Sequence, residues 1–168
     1  MGNNSRLIPD CEDVIRLLSR AWVNGSSILH VAFTLREHET YISVNRPAVA
    51  SYNSDVEAFL RVHPDFYSDE KESEYMRALI NVGDIRLVEV NDNGTKINVD
   101  VEVEPRDVFT KSHAGIIPRY EGKSIQGGDT FNIRYIENEI SSDQILLKVR
   151  SRLLALAQME FCQLYSSE

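Results

Sequence analysis

The stretch that most constrains the fold is a pair of alternating segments separated by Asn93-Gly94. Asn-Gly is the preferred pair for a tight type I′ turn, because both central residues of that turn need a positive φ. In the second arm, TKINVDVEVE, apolar residues occupy alternate positions across 97–103 and polar residues lie between them. Such alternation is typical of a strand with one buried face and one wet face. The sequence therefore predicts an antiparallel hairpin here.

Apolar spacing predicts the remaining elements. Residues at helical spacing indicate an N-terminal helix at about 10–22 and a long C-terminal helix at about 144–165. Shorter helices are expected at about 53–63 and 74–83. Alternation predicts further strands, namely a first hairpin formed by 27–35 and 40–45 and a single strand at 130–137.

Grouped strands, rather than strict alternation of strands and helices, predict the fold class. We expect an α+β fold whose antiparallel or mixed sheet is built from two hairpins plus one strand. The N-terminal helix and the long C-terminal helix are expected to pack on this sheet. The chain of 168 residues is typical of one domain covering 1–168.

The charge balance narrows the classes of partner. The net charge is −8, which argues against broad binding to nucleic acids or to an anionic membrane surface. No apolar run approaches the length of about 20 residues that spans a bilayer. Cys11 and Cys162 are interpreted as buried free thiols in a reducing compartment. These features together predict a cytoplasmic protein.

The segment 105–128 differs from the rest of the chain, because its Lys and Arg residues outnumber its Asp and Glu residues. It also holds glycines and prolines at several positions, which indicates a long, basic, Gly-containing loop. Backbone N–H groups at glycines, together with Arg119 and Lys123, suit the binding of a phosphate. The segment matches neither common phosphate-loop motif, so an ordinary surface loop is the alternative.

The candidate catalytic groups form no known motif. Histidine and cysteine spacing predicts no metal site, and no cofactor motif is present. Ser43 can face a cleft together with His113, although Ser43 is more simply an ordinary polar residue on a wet strand face. Carboxylates at 100, 102 and 104 lie on one strand face. They suit a divalent cation or a basic partner, or they form a solvated surface.

The predicted last helix carries a broad apolar stripe. It covers more area than one sheet face needs, so part of it is expected to pack on the first helix or on a second copy of the chain. The candidate interface residues are Leu153, Leu156, Phe161 and Leu164.

Three short elements resemble small uncharacterised bacterial proteins with A-F, S-V-x-R and H-A-x-I elements. They are AF at 32–33, SVNR at 43–46 and HAGI at 113–116. Gly115 departs from the pattern, which more usually has a bulkier or acidic residue there. The resemblance implies no catalytic role, and it suggests that Arg46 and His113 meet at one site.

Three functions remain open. The leading hypothesis is a non-enzymatic binding or regulatory protein of a bacterial cell, acting through a protein partner or by self-association. The first alternative is a domain or enzyme that binds a small phosphorylated or nucleotide-like ligand through Arg46, His113, Arg119 and Lys123. The second alternative is a structural subunit that assembles through its C-terminal helix.

Overall fold

A computed structural model describes residues 7–68, 73–106 and 110–164. Three α-helices lie in these ranges, namely α1 (Tyr52–Val62), α2 (Val82–Arg86) and α3 (Ser142–Leu156). Short 3-10 helices cover Arg20–Trp22, His30–Phe33 and Pro64–Phe66. The strands are β1 (Asp13–Leu18), β2 (Val23–Asn24), β3 (Ser27–Ile28), β4 (Ile42–Asn45), β5 (Glu74–Asn81), β6 (Val90–Asp92), β7 (Thr95–Ile97), β8 (Val99–Pro105), β9 (His113–Tyr120), β10 (Lys123–Ser124), β11 (Asn132–Tyr135), β12 (Asn138–Ser141) and β13 (Gln158–Gln163).

The fold is α+β and its main sheet is antiparallel. The strand order is β8-β9-β4-β1-β5-β13, and β10 pairs with β9 beyond the end of β4. Three two-stranded sheets, β2-β3, β6-β7 and β11-β12, lie outside it. The α+β prediction is therefore confirmed, with β8 and β13 as the two edge strands of the main sheet.

The predicted N-terminal helix is wrong, because 13–18 form β1 in the middle of the sheet. Val14 and Leu18 pack in the large core on one face of the sheet. Ile15 and Leu17 pack on the other face, against α1. A central strand covered on both faces has apolar residues on both sides, so its pattern resembles a helix.

The predicted helix at 74–83 is wrong for the same reason. Residues 74–81 form β5, which pairs with β1 on one side and β13 on the other. Met76 and Ala78 face the large core, whereas Tyr75 lies in the smaller core with α1. Only the five residues of α2 that follow β5 are helical.

The predicted C-terminal helix is correct at its beginning and wrong at its end. A capping box formed by Ser141 and Gln144 starts α3, and Ala157 ends it. The chain then returns to the sheet as β13. The predicted helix at 53–63 is confirmed as α1. The strand at 130–137 is present as β11, but it pairs with β12 in a separate two-stranded sheet instead of joining the main sheet.

The two predicted hairpins have different outcomes. Asn93 and Gly94 both have positive φ and join β6 to β7, which confirms the Asn-Gly turn. The predicted arms of this hairpin are wrong over most of their length, because 85–86 belong to α2 and β8 pairs with β9. The first hairpin is wrong, because 30–33 form a 3-10 helix and β4 pairs with β1 and β9 instead.

The predicted loop at 105–128 is wrong over most of its length. It contains β9 and β10, joined by a two-residue turn in which Glu121 and Gly122 have positive φ. Part of the prediction, 107–109, lies outside the described residues. Of the Lys and Arg residues in this segment, only Arg119 lies on β9, and Lys123 lies on β10.

Both cysteines are free thiols. Cys11 is exposed, which corrects the prediction that it is buried, and Cys162 is half-buried on β13. Within the described part of the chain, no helix is long and apolar enough to cross a membrane.

Candidate functional site

The four predicted ligand-binding residues do not converge. Arg46 forms a two-point ion pair with Glu12, in which the nitrogen–oxygen distances are 3.0 and 2.9 Å. Arg119 forms an ion pair with Glu104 at 2.5 Å. His113 and Arg119 lie six positions apart on β9, which corresponds to about 20 Å along a strand. Lys123 is exposed on β10, so a single phosphate cannot contact the whole set.

Arg46 and His113 are close in the backbone but separate in their side chains. The N–H of Arg46 donates to the carbonyl of Ser112, which directly precedes His113. Asn45 and His113 are cross-strand partners and therefore share one face of the sheet. The next side chain, that of Arg46, turns to Glu12. The resemblance thus pointed to neighbouring backbone positions rather than to one shared binding site.

The structure does bring Ser43 and His113 together. Ser43 lies on β4 opposite Gly115, and its hydroxyl oxygen is 3.2 Å from Nε2 of His113. Nδ1 of His113 is 2.9 Å from the carbonyl oxygen of Arg106. Ser43 is exposed, whereas His113 is 7% exposed. A serine and a histidine 70 positions apart in sequence therefore form a pair at the surface, and the carbonyl of Arg106 fixes the orientation of the histidine ring.

Gly115 permits an aromatic ring to lie beside this pair. A Cβ atom at Gly115 would approach Cδ2 of Tyr41 to 2.7 Å, which is closer than real Cβ atoms come. The Tyr41 ring packs edge-on against His113 with ring centroids 5.8 Å apart. The guanidinium carbon of Arg106 lies 4.8 Å from the centre of the Tyr41 ring, which is a cation–π distance. The Tyr41 ring thus contacts both His113 and Arg106.

A second cation contacts the backbone of Ser43. Arg16 projects from β1 and donates one hydrogen bond to the carbonyl of Ser43 at 2.8 Å and another to the carbonyl of Ala32 at 3.0 Å. Burial lowers the pKa of Arg16 to about 10, so its side chain is still a cation at neutral pH. This cation holds Ser43 in place from the side of β1.

The surroundings of His113 favour a neutral imidazole. Burial is the largest cause, and it lowers the pKa of His113 because a charged ring would lose its hydration. The hydrogen bond to the carbonyl of Arg106 raises the pKa, whereas the charges of Arg106 and Arg16 lower it further. The net direction is downward, so His113 is mostly unprotonated at neutral pH.

A third group of polar residues attaches α1 to the start of β9. Desolvation raises the pKa of Asp55, but hydrogen bonds from Ser112, Ser51 and Thr110 outweigh it, so the net pKa is lowered. The hydroxyl of Ser112 donates to Asp55 at 2.6 Å. These contacts fix the residue directly before His113.

The predicted interface residues lie in different environments. Leu153 is buried in the large core, and Leu156 is half-buried at the end of α3. Leu164 is half-buried beside the smaller core, after the end of β13. Phe161 is 56% exposed on β13. The four residues therefore do not lie on one helix, and Phe161 is exposed on an edge strand.

Sequence reasoning missed a cleft between α3 and the 3-10 helix at 30–33. Its volume is about 310 Å³, and it is lined mainly by apolar residues together with Asp143 and Arg150. Arg150 donates to the hydroxyl of Thr34 at 3.2 Å across the cleft.

Sequence reasoning found Ser43 and His113 but not Tyr41, Arg16 or Arg106. These three residues belong to different strands and segments, and they carry no spacing signal in the sequence. No family model, curated protein or solved structure matches this chain.

Proposed function

We propose that the protein is a cytoplasmic binding or regulatory protein of a bacterial cell, and that its partner adds a strand to β13. The observation that carries the proposal is the outer edge of β13. Among the described residues, β5 is the strand with which β13 pairs, and the other edge of β13 has no ladder partner. Unpaired N–H and C=O groups on an edge strand are a template for a further strand.

An exposed aromatic side chain lies on the same strand. Phe161 is 56% exposed, and covering it in an interface would contribute about 1–2 kcal/mol. Aromatic residues are enriched in the cores of protein interfaces, where they often dominate the binding energy. The backbone edge thus supplies hydrogen bonds, and Phe161 supplies an apolar anchor.

The charge of the protein indicates the kind of partner. The net charge is −8, and Glu160 on β13 has a side chain that is 40% exposed. Opposite charges accelerate the approach of two proteins more than they increase final affinity. An extended basic segment of a second protein therefore fits this edge better than a second acidic copy of the same chain.

A photo-crosslinking amino acid at position 161 tests the proposal, with the same group at Leu87 as the control. Leu87 is 77% exposed and directly follows α2, so it is not part of β13. We expect a protein to be captured from position 161 and not from position 87. The purified partner should then bind the wild type and Leu87→Lys, and lose binding to Phe161→Lys. Equal capture at both positions, or equal binding by both Lys variants, would overturn the proposal.

A further inference from the structure

The pair formed by Ser43 and His113 has the hydrogen-bonding pattern of an activated nucleophile. The carbonyl of Arg106 can only accept a hydrogen bond, so Nδ1 of His113 carries the proton in that contact. Nε2 of the neutral ring is then an acceptor, and the hydroxyl of Ser43 lies 3.2 Å from it. This distance is at the outer limit of the usual range for such pairs, which is often loose without substrate.

We infer that Ser43 is the nucleophile and His113 the general base of an acyl-transfer site that takes small carboxylic esters. The site lies on β4 and β9, and two strands, β1 and β5, separate β4 from β13 in the main sheet. It is therefore independent of the edge strand proposed above for partner binding. Failure of one proposal leaves the other standing.

The chemistry requires an exposed serine and a buried base. Ser43 is exposed and open to a substrate, whereas His113 is protected from bulk water. His113 is mostly neutral at pH 7, because its burial and the charges of Arg106 and Arg16 lower its pKa. A neutral imidazole can accept the hydroxyl proton at once. The exposure of Ser43 therefore suits a nucleophile, and the neutral ring of His113 suits a general base.

The reaction balances with water as the second substrate. The proton of the Ser43 hydroxyl moves to Nε2 of His113 while the oxygen attacks the ester carbonyl carbon. The bond from this carbon to the alcohol oxygen breaks, and the imidazolium returns its proton to the leaving alcohol. Water then attacks the acyl group, passing a proton to Nε2, and the serine ester bond breaks as that proton returns to Ser43. One ester and one water give one carboxylic acid and one alcohol.

Two arginines surround the pair. Arg16 donates to the backbone carbonyl of Ser43 at 2.8 Å and so holds the strand position of the nucleophile. Arg106 and Arg16 are both close enough to His113 to lower its pKa. Tyr41 positions Arg106 by cation–π contact, and Gly115 leaves space for the Tyr41 ring. These four are positioning residues, whereas Ser43 and His113 contact the reacting atoms.

A fluorophosphonate probe tests the assignment on the full-length protein, because it reacts covalently with activated serines. We expect one adduct, mapped by mass spectrometry to Ser43. Replacing the base in His113→Gln should slow labelling by about a hundredfold or more. Ser124→Ala is the matched control, because Ser124 is also an exposed strand serine and lies in the same sheet. That variant should label like the wild type.

The pH profile separates a general base from a merely structural histidine. The labelling rate should fall as the pH drops through the pKa of His113, with a midpoint below the value of about 6.5 for a free imidazole. The pH profile of the wild-type protein remains a test if His113→Gln does not fold, because it needs no variant. An adduct on another serine, or a rate of Ser43 labelling that is independent of pH and of His113, would overturn the assignment.

Discussion

The two edges of the main sheet are terminated in different ways. On β8, the N–H of Val103 donates to the carboxylate of Glu102 at 2.8 Å. The guanidinium of Arg86 contacts the same carboxylate at 2.6 Å and reaches the carbonyl of Val103 at 3.4 Å. The backbone polar groups of Val103 are thus covered by side chains rather than by another strand. This arrangement blocks the addition of a strand there.

The β13 edge has a different set of contacts. The side chains of β13 bond back to its own sheet partner, since Glu160 pairs with Arg77 and Gln163 donates to Glu74. Both of these partners lie on β5. Within 7–68, 73–106 and 110–164, no side chain covers the outer backbone of β13 in the way that Glu102 and Arg86 cover β8. One edge is therefore closed by an ion pair, and the other is open to a strand.

Removing the ion pair on β8 should have the largest effect on stability. Arg86 is 20% exposed and also donates to the carbonyl of Ile8 and to Asp10, so Arg86→Leu leaves several polar groups without partners. We expect the free energy of unfolding to fall by about 2 kcal/mol. Urea denaturation measures this change. Arg61→Leu is the control, because its pair with Glu57 is mostly exposed and contributes about 0.3–0.5 kcal/mol. Equal losses in the two variants would contradict the stabilising role of Arg86 at the β8 edge.

Loosening β13 should have a smaller and more local effect. Arg77 links β5 to Glu160 of β13 and also donates to the hydroxyl of Tyr52 on α1. Arg77→Leu is expected to lower the free energy of unfolding by about 1 kcal/mol. Hydrogen exchange should quicken on β13 and stay unchanged on β8, because local openings need not involve the whole sheet. Uniform acceleration on both edges would show that they unfold as one unit.

Acid should act on the β9 side of the sheet through His113. The folded pKa lies below that of the unfolded chain, so the unfolded state binds the proton more readily. The contribution of His113 to the free energy of unfolding is fully present above a pH of about 6.5. It is lost as the pH falls through the pKa of His113 in the folded protein. His113→Gln should therefore flatten the decline in unfolding free energy between about pH 7 and 5, as measured by urea denaturation at each pH. An unchanged slope would refute this assignment.

The smallest effect on stability should come from Phe161→Lys. Phe161 is mostly in water, so we expect its replacement to change the free energy of unfolding by no more than about 0.5 kcal/mol. The added lysine should nevertheless prevent strand addition, since charged residues protect natural edge strands. A large loss of stability would show that the Phe161 side chain supports the fold and is not an exposed anchor for a partner.

The elements that sequence predicted correctly are those with local causes. The turn at Asn93-Gly94 depends on the φ preferences of two adjacent residues. The amphipathic helix α1 has one apolar face, which its spacing displays directly. The central strands β1 and β5 were misread because both of their faces are buried. Their apolar runs therefore lack the alternation that distinguishes a strand from a helix.

The candidate site was predictable only in part. The sequence indicated that Ser43 on its strand can meet His113, and the structure shows this contact. Arg46 and Arg119 were predicted as ligand-binding cations, but each pairs with a carboxylate that no spacing rule connects to it. Arg16 and Arg106 approach the pair from other parts of the sheet. Their roles depend on strand order, which local sequence does not encode.

The sequence by itself determined the α+β class, the Asn-Gly turn and the helix α1, because each follows from the preferences or spacing of neighbouring residues. Only the tertiary structure decided that 13–18 and 74–81 are central strands and that 158–163 form an open edge. It also decided that Ser43 meets His113 across 70 positions of chain. The physical reason is that burial on two faces and pairing between distant strands depend on the whole sheet, whereas local propensity does not.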